Sequence, residues 1–556
     1  MNIAKIAMNA LAPKAKAFEK ATNDPASYQK AALLEYLSRN RHTEYGKKYD
    51  FSSIKSVKDY QERVPIIDCN DLRRYTERMI NGEQNILTAD KVSYFGSTSG
   101  TTGKPKYIPV TAYSRAKKAE VMKLWSYYIY KDYPSILDGK IFAIIDPEIK
   151  GYTPCGIPFG PENGHAYVNL PEPIKRYYAI PYTIFSIQDY DSRYYSMLRI
   201  ALEQNVTTLA TLNPSCIILL CQKIDIWEDR IIRDIENGTL EKGWNIPEDV
   251  RKVIEKNLKP NKKRADELRA ILKKKGKLIP KDFWPNMKLI ESWKGGTVKL
   301  YLKELPKYFG NIPIRDFGCL STEMRSSIPM NDNGAGGVLA ILTNFYEFIP
   351  KEDMGKKQKR VLLCDELEEG REYIIIVTTP GGLYRYDIDD IIKVDGFYNK
   401  TPIIEFVQKG LNAISITGEK VYASQVHDAV NKSLDKVNLL IKFFSASIQL
   451  DKPPRYIFLV EFDGDPSLKT KKDFLKSVDM ELGHANLEYE DTRRRMELGA
   501  PILKEVKKGE FEKYRTRRVK EGSHETQFKA PELTKDTDFQ KNFVIKEEIL
   551  IERESG

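Results

Sequence analysis

Nine consecutive residues, Gly96-Ser97-Thr98-Ser99-Gly100-Thr101-Thr102-Gly103-Lys104, carry glycines, hydroxyls and one ammonium group between two apolar segments of VSYFGSTSGTTGKPKYIPVT (Val92–Thr111). Glycines let a backbone turn its N–H groups inward and hydroxyls add further donors, so such a loop can cradle phosphate oxygens. Lys104 and Lys106 bring positive charge. A Walker A loop is excluded. That pattern needs glycine five residues before the GK glycine and Ser or Thr after the lysine, and Thr98 and Pro105 stand there. A β-type segment follows in place of a helix, so the loop must grip phosphates with no helix N-terminus behind it. A Ser/Thr/Gly run is more often a plain linker, but nine such residues between two apolar strands is unusual.

Around this loop, apolar runs alternate with helical patterns from about residue 90 to residue 410, the signature of an α/β domain. Lys140–Asp146, Asn205–Thr211 and Met287–Trp293 read as strands, and a helix is expected from Thr111. Asn213-Pro214-Ser215 reads as an N-cap with proline at the first helical position, and Gly295-Gly296 as a tight turn into another helix. Strand, turn and helix repeat, so a mainly parallel sheet with ligands at its strand C-termini is expected. The first 21 residues read as one amphipathic helix packed on the body. Between Gly410 and Tyr422 the character changes, and a hinge is expected near Ile414. Beyond it lies a smaller α+β pattern: a helix from Ser424, a hairpin of Leu439–Ser447 with Arg455–Phe462, then helices to the end.

Composition removes several classes. The 556 residues exceed one hydrophobic core, and 41% hydrophobic with 30% charged residues describes soluble globular protein. Net charge is +11, but residues 251–277 hold 12 basic against 3 acidic residues, so the excess is largely one local patch. Its mixed charges at helical spacing read as a solvated helix face. The six cysteines form no CxxC pair, which suits a reducing cytosol, and the five histidines show no metal-ligand spacing. No apolar run reaches the roughly 20 residues that span a bilayer.

S-T-S-G-T-T-G-K-P-K resembles the phosphate loop of the adenylate-forming superfamily of acyl-CoA ligases, luciferases and adenylation domains. FGCLSTEMR (Phe317–Arg325) resembles its second motif, with Ser321-Thr322-Glu323 at the core. GLYRYDIDD (Gly382–Asp390), FYEFIP (Phe345–Pro350), Trp284-Pro285-Asn286 and Gln527-Phe528-Lys529-Ala530-Pro531 resemble the acyl-acid amido synthetases, the auxin-responsive Gretchen Hagen family of plants and bacteria. The likeness spans nearly the whole chain with its motifs in order. It implies a large N-terminal ATP- and acyl-acid-binding domain of layered α/β sheets (residues 1–413) and a smaller mobile α+β lid (residues 414–556). It also implies a two-step reaction, in which ATP adenylates a carboxylic acid and an amine, usually of an amino acid, then displaces AMP.

In the roles this resemblance implies, Ser97, Thr98, Ser99, Gly100, Thr101 and Thr102 hold the β- and γ-phosphates. Ser321 belongs to the nucleotide site, Thr322 contacts the α-phosphate, and Glu323 ligates Mg²⁺, which prefers carboxylate and phosphate oxygens. Asp390 meets the ribose. Lys420 and Lys529 are cations that the lid swings onto the phosphates. Taken alone, an STE tripeptide reads as the start of a helix capping box, and Asp390 as a turn residue. Asp389 stands where the family has glycine, a small strain if φ is positive there. With Asp387 and Asp389 beside it, the identity of the ribose ligand stays open. Cys319 and Leu320 stand where an aromatic residue often contacts adenine.

Competing readings are an acyl-CoA ligase with a thiol acceptor and, more remotely, a nucleic-acid-binding protein using residues 251–277. Against the latter, that stretch carries no interleaved aromatics. The expected partners are therefore a small carboxylic acid and an amino acid or amine, with no nucleic acid and no membrane, acting on a cytoplasmic monomer. An aryl acid, a benzoate and an aliphatic acid all stay open as substrates.

Overall fold

The computed structural model describes residues 3–98, 106–295, 299–353, 356, 358–409, 413–414, 416, 419, 421–451, 453–494, 498–521 and 528–551. Two compact units divide the chain, Met1–Phe406 and Val407–Gly556.

In the first unit, the strands Lys140–Ala143, Val206–Ala210, Leu289–Glu291 and Ile314–Arg315 form a four-stranded sheet in which every neighbour is parallel. Val206–Ala210 is buried along its whole length, which fits a strand covered on both faces. The helix after it, Ser215–Asn237, is entered through Pro214, whose φ of −64° and ψ of −17° are already helical, as expected for a proline at the first helical position. A second sheet pairs Val92–Thr98 antiparallel with Lys106–Thr111 and parallel with Pro158–Gly160.

The third sheet corrects the expectation of a mainly parallel architecture. Its six strands run in the order Phe345–Pro350, Glu372–Thr378, Tyr386–Tyr398, Thr401–Lys409, Gly337–Leu339 and Ser327–Ile328. The first three pair antiparallel, as does Gly337–Leu339 with both of its neighbours. FYEFIP and EYIIIVT are buried throughout or nearly so and imitate the continuous apolar runs of parallel strands. Connection length decides the matter. Only Asn399 and Lys400 separate two of these strands, with Asn399 at φ 53°, and a parallel pair needs a crossover of a dozen or more residues.

The N-terminus also differs from the single expected helix. Ile3–Asn9 and Ala12–Ala21 are separate, with Pro13 in the first turn of the second and Ala15, Phe18 and Ala21 buried. The basic stretch forms parts of two surface helices, Glu248–Glu255 and Lys262–Lys275. Several of its arginines are committed internally: Arg251 donates to Leu240 O (2.9 Å), and Arg264 donates to Leu202 O (2.8 Å) and Phe283 O (2.7 Å). Among the described residues, no helix is long and apolar enough to cross a membrane.

Glu291, the last residue of its strand, is buried, and desolvation lifts its carboxyl from the ordinary 4.5 to about 8, with Arg315 opposing. A raised carboxyl stabilises the fold fully below its unfolded value and loses that contribution as pH rises through the folded one. Glu291→Gln removes the titration. Thermal melts are therefore expected to show the variant gaining on wild type between about pH 5 and pH 8, by at most about 1.4 kcal/mol per pH unit. A constant difference across that window would refute the assignment.

The second unit holds a mixed sheet of Ile441–Gln449, Arg455–Phe462, Ile502–Val506 and Ile545–Leu550. The first pair is antiparallel, the middle pair parallel and the last antiparallel. The helices expected after the hairpin form at Leu468–Ala485, Leu487–Arg494 and Glu510–Lys520, and the last two strands were not expected from sequence. Ile545–Leu550, IKEEIL, is an edge strand with three charged residues, and that composition hides its β character. Helices Ala423–Val437 and Leu468–Ala485 carry the apolar stripes of this unit.

Candidate active site

The hairpin that flanks the Ser/Thr/Gly loop is regular: Gly96 pairs with Ile108, Ser97 with Tyr107 and Thr98 with Lys106. Ser99, Gly100, Thr101 and Thr102 lie outside the described residues, as does the side chain of Thr98. Ser97 is buried, and its Oγ has no hydrogen-bond partner among the described residues. Gly96 is the close approach. A Cβ there would lie 2.5 Å from Thr322 Cγ2, so the strand entering the loop stacks directly on the second motif. Thr322 is β-branched and buried, so it cannot swing aside. Gly96→Ala should cost roughly 1–3 kcal/mol by overpacking and raise the KM for ATP more than that for the acid. Equal KM values for variant and wild type would show that this contact does not shape the site.

The second motif is a tight turn. Leu320 and Arg325 bridge antiparallel, the Ser321 N–H donates to Met324 O (2.8 Å), and the Met324 N–H donates to Ser321 Oγ (3.3 Å). No helix follows, so the capping-box reading of STE does not apply; the Ser321 hydroxyl closes the turn that presents Thr322 and Glu323. One helix holds this turn. From Ala112–Asp132, capped by Thr111 and Ser114, Lys118 Nζ donates to Thr322 O (2.7 Å) and pairs with Glu162 at 3.4 Å. From the same helix, Trp125 stacks on Phe317 with ring centroids 4.9 Å apart and donates to Asp316 O (2.8 Å). Burial lifts the Asp316 carboxyl to about 6, against N–H donors from Gly318 and Lys294. Glu323 lines a narrow cleft with Ser114, Lys118, Arg325, Asn344 and Gly381, and with Ile108 and Pro109 on its apolar side.

The third motif reaches the same place through a bulge. Ile374 pairs with Ile391 and Ile376 with Asp387, so Ile388–Asp390 oppose Ile375 alone. Such a bulge re-aims side chains. Asp389 takes φ 61° within it, the left-handed conformation that a family glycine adopts without strain, and its N–H donates to Asp387 Oδ1 (2.8 Å). Asp387 and Asp389 are half-buried, whereas Asp390 is buried. Asp390 lies close enough to Cys319 that, after burial and Asp316, its charge raises that thiol. Gly381 packs against the hairpin: a Cβ there would lie 3.0 Å from Pro109 O. Tyr386 is buried, and its phenol is raised first by burial and next by Glu323. Three segments far apart in sequence thus converge on Thr322 and Glu323.

Lys118, Glu162, Arg325 and Tyr386 escaped sequence reasoning. Ser114 and Lys118 stand four apart on the helix opened by Thr111, which placed them on one face, but nothing in the sequence aimed that face at residue 322. In the second unit, Lys420 lies outside the described residues and Lys529 is exposed. The segment after Lys529 is anchored: Pro531 O accepts from Ser445 Oγ (2.5 Å), Leu533 bridges Ala446, and Glu532 meets His427 Nδ1 at 2.8 Å. Among the described residues, no three metal-ligating side chains cluster, so Glu323 offers a single carboxylate.

Comparison with known proteins covers the same span. The GH3 family N-terminal domain matches residues 14–314, its central domain 337–409 and its C-terminal domain 424–538. A jasmonoyl–L-amino acid synthetase of Oryza sativa subsp. japonica is 26% identical over 92% of this chain and 93% of its own length. An indole-3-acetic acid-amido synthetase of Arabidopsis thaliana is 25% identical over 93% of this chain and 94% of its own. A solved acyl acid amido synthetase superposes with a TM-score of 0.85 at 23% identity, covering 96% of both chains, a likeness of fold.

Proposed function

Because the chain belongs to the GH3 family, we propose that it is an ATP-dependent acyl-acid amido synthetase whose active site is the meeting point of Gly96, Thr322, Glu323 and Asp390. Two half-reactions define that activity. A carboxylate of the acid attacks the α-phosphorus of ATP and pyrophosphate leaves. The amine then attacks the acyl carbon, the C–O bond to phosphate breaks, and AMP leaves with the electron pair.

Both steps build charge on phosphate oxygens, so donors must be aimed there in advance. Ser97 suits this, since a buried hydroxyl without a partner costs stability unless a ligand supplies one. Thr98, Ser99, Gly100, Thr101 and Thr102 complete the cradle for the β- and γ-phosphates in this reading. Thr322 faces the α-phosphate, and Ser321 acts by closing the turn. Glu323 is the residue that would hold Mg²⁺, and one carboxylate suits an ion that takes its remaining oxygens from phosphates and water. Mg²⁺ bound there supplies positive charge to those oxygens. Asp390, the buried member of its trio, accepts from the ribose hydroxyls. Lys420 and Lys529 are carried by a lid beginning at residue 414. In this reading the protein works on small molecules as a cytosolic monomer; its six free cysteines suit a reducing compartment.

The packing of Gly96 on Thr322, with Gly381 beside Glu323 in one cleft, supports this reading, because it brings segments distant in sequence to a single carboxylate. An acid-by-amine panel, scored by pyrophosphate release and product mass, tests it. AMP, pyrophosphate and an amide are expected. ADP in place of AMP would overturn it, and product formed with coenzyme A but with no amine would reassign the acceptor to a thiol.

A further inference from the structure

A second cleft, of about 240 Å³, opens between the helix Cys69–Ile80 and the strand Lys106–Thr111, with Tyr386 in its wall. Two cations line it, Arg73 and Lys106. Neither side chain makes a hydrogen bond or ion pair with a described residue. The contrast lies on the same helix, where Arg78 pairs with both Glu44 and Glu83 at 2.7 Å. Tyr386 is fully buried, yet its Oη has no hydrogen-bond partner among the described residues. Leu72 and Ile80 give the cleft an apolar side, and Glu77 stands among its lining residues.

Two half-buried cations and a buried hydroxyl without partners are what an anion would satisfy. The anion is a small one. A polyphosphate gains nothing from an apolar wall and is repelled by Glu77, whereas an α-amino acid uses every part. We propose that this cleft is the acceptor subsite. It takes an α-amino acid with its carboxylate between Arg73 and Lys106, its side chain on Leu72 and Ile80, and its amine on the Tyr386 side. That side faces the chemistry, because Tyr386 begins the strand that carries Asp390, and Lys106 pairs with Thr98 where the hydroxyl-glycine loop begins. The assignment rests on the amide-forming reading above and adds to it a demand for a free carboxylate on the acceptor.

The test compares each accepted amino acid with its carboxamide, which keeps the amine and loses the charge. Wild type should prefer the amino acid by about tenfold or more, the worth of a charge-assisted hydrogen bond. Arg73→Met should raise the KM for the amino acid by about tenfold, keep kcat within about threefold, and lose most of that preference. Lys106→Met should lose the same preference. Acid-dependent ATP–pyrophosphate exchange and the melting temperature should stay near wild type in Arg73→Met. The subsite is refuted if both variants lose the amino acid and the carboxamide equally, if neither KM moves, or if the KM for pyrophosphate rises instead, which would make the cleft a leaving-group site. Absence of acid-dependent exchange in wild type would instead overturn the adenylation reading.

Discussion

Glu323→Gln should lower acid-dependent ATP–pyrophosphate exchange by about 10²–10³-fold, the usual cost of one group aimed at transition-state charge. The substitution keeps the shape of the side chain and removes its charge, so packing of this buried residue survives. No other acidic residue lines its cleft, and among the described residues no cluster of metal-ligating side chains can take over its role. The turn holding it is closed by backbone and by Ser321, not by its carboxylate. The melting temperature should therefore stay within a few degrees. Raised Mg²⁺ should restore part of the exchange, because a weakened site still fills by mass action. Exchange at the wild-type rate would remove Glu323 from the chemistry.

Arg385→Met should destabilise the protein by about 3–5 kcal/mol, the cost of stripping one partner from a buried ion pair. Arg385 Nε donates to Glu347 Oε2 (3.0 Å), and both side chains are almost inaccessible, at 6% and 1%. A second nitrogen of Arg385 donates to Gln61 O and Val64 O (both 2.8 Å), and Gln61 Nε2 donates to Glu347 Oε1 (2.9 Å). The variant leaves Glu347 charged, buried and short of its main partner. Converting Glu347 to Leu in the same chain should recover part of the loss, since the stranded charge then disappears. Denaturant midpoints would decide the matter, and a double variant no better than the single one would count against it. This pair also explains two motifs at once: the glutamate of FYEFIP and the arginine of GLYRYDIDD sit far apart in sequence and close one buried contact between strands.

The residues of the proposed site draw attention in the sequence because their chemistry is local. The hydroxyl-glycine loop, STE and the aspartates of GLYRYDIDD each announce themselves by residue type within a few positions. The parallel sheet around Val206–Ala210 was legible too, from apolar runs separated by long helical segments. The antiparallel sheet of residues 327–409 was misread because a strand buried on both faces shows the same apolar run whichever way its neighbour points. The strand Ile545–Leu550 was misread because an edge strand carries charge. At Asp389 the sequence raised the question of positive φ, and the bulge answered it.

By itself, then, the sequence determined which groups can grip phosphate and a divalent ion, and the order in which the chain presents them. Hydrogen-bonding type and charge belong to single residues and need no fold to be read. Only the tertiary structure decided which groups share a cavity. That Gly96 touches Thr322, that Lys118 steadies the STE turn, and that Arg73, Lys106 and Tyr386 face one cleft are facts of long-range packing. Helix faces and strand bulges aim these side chains, and no short window of sequence records where such a face will point.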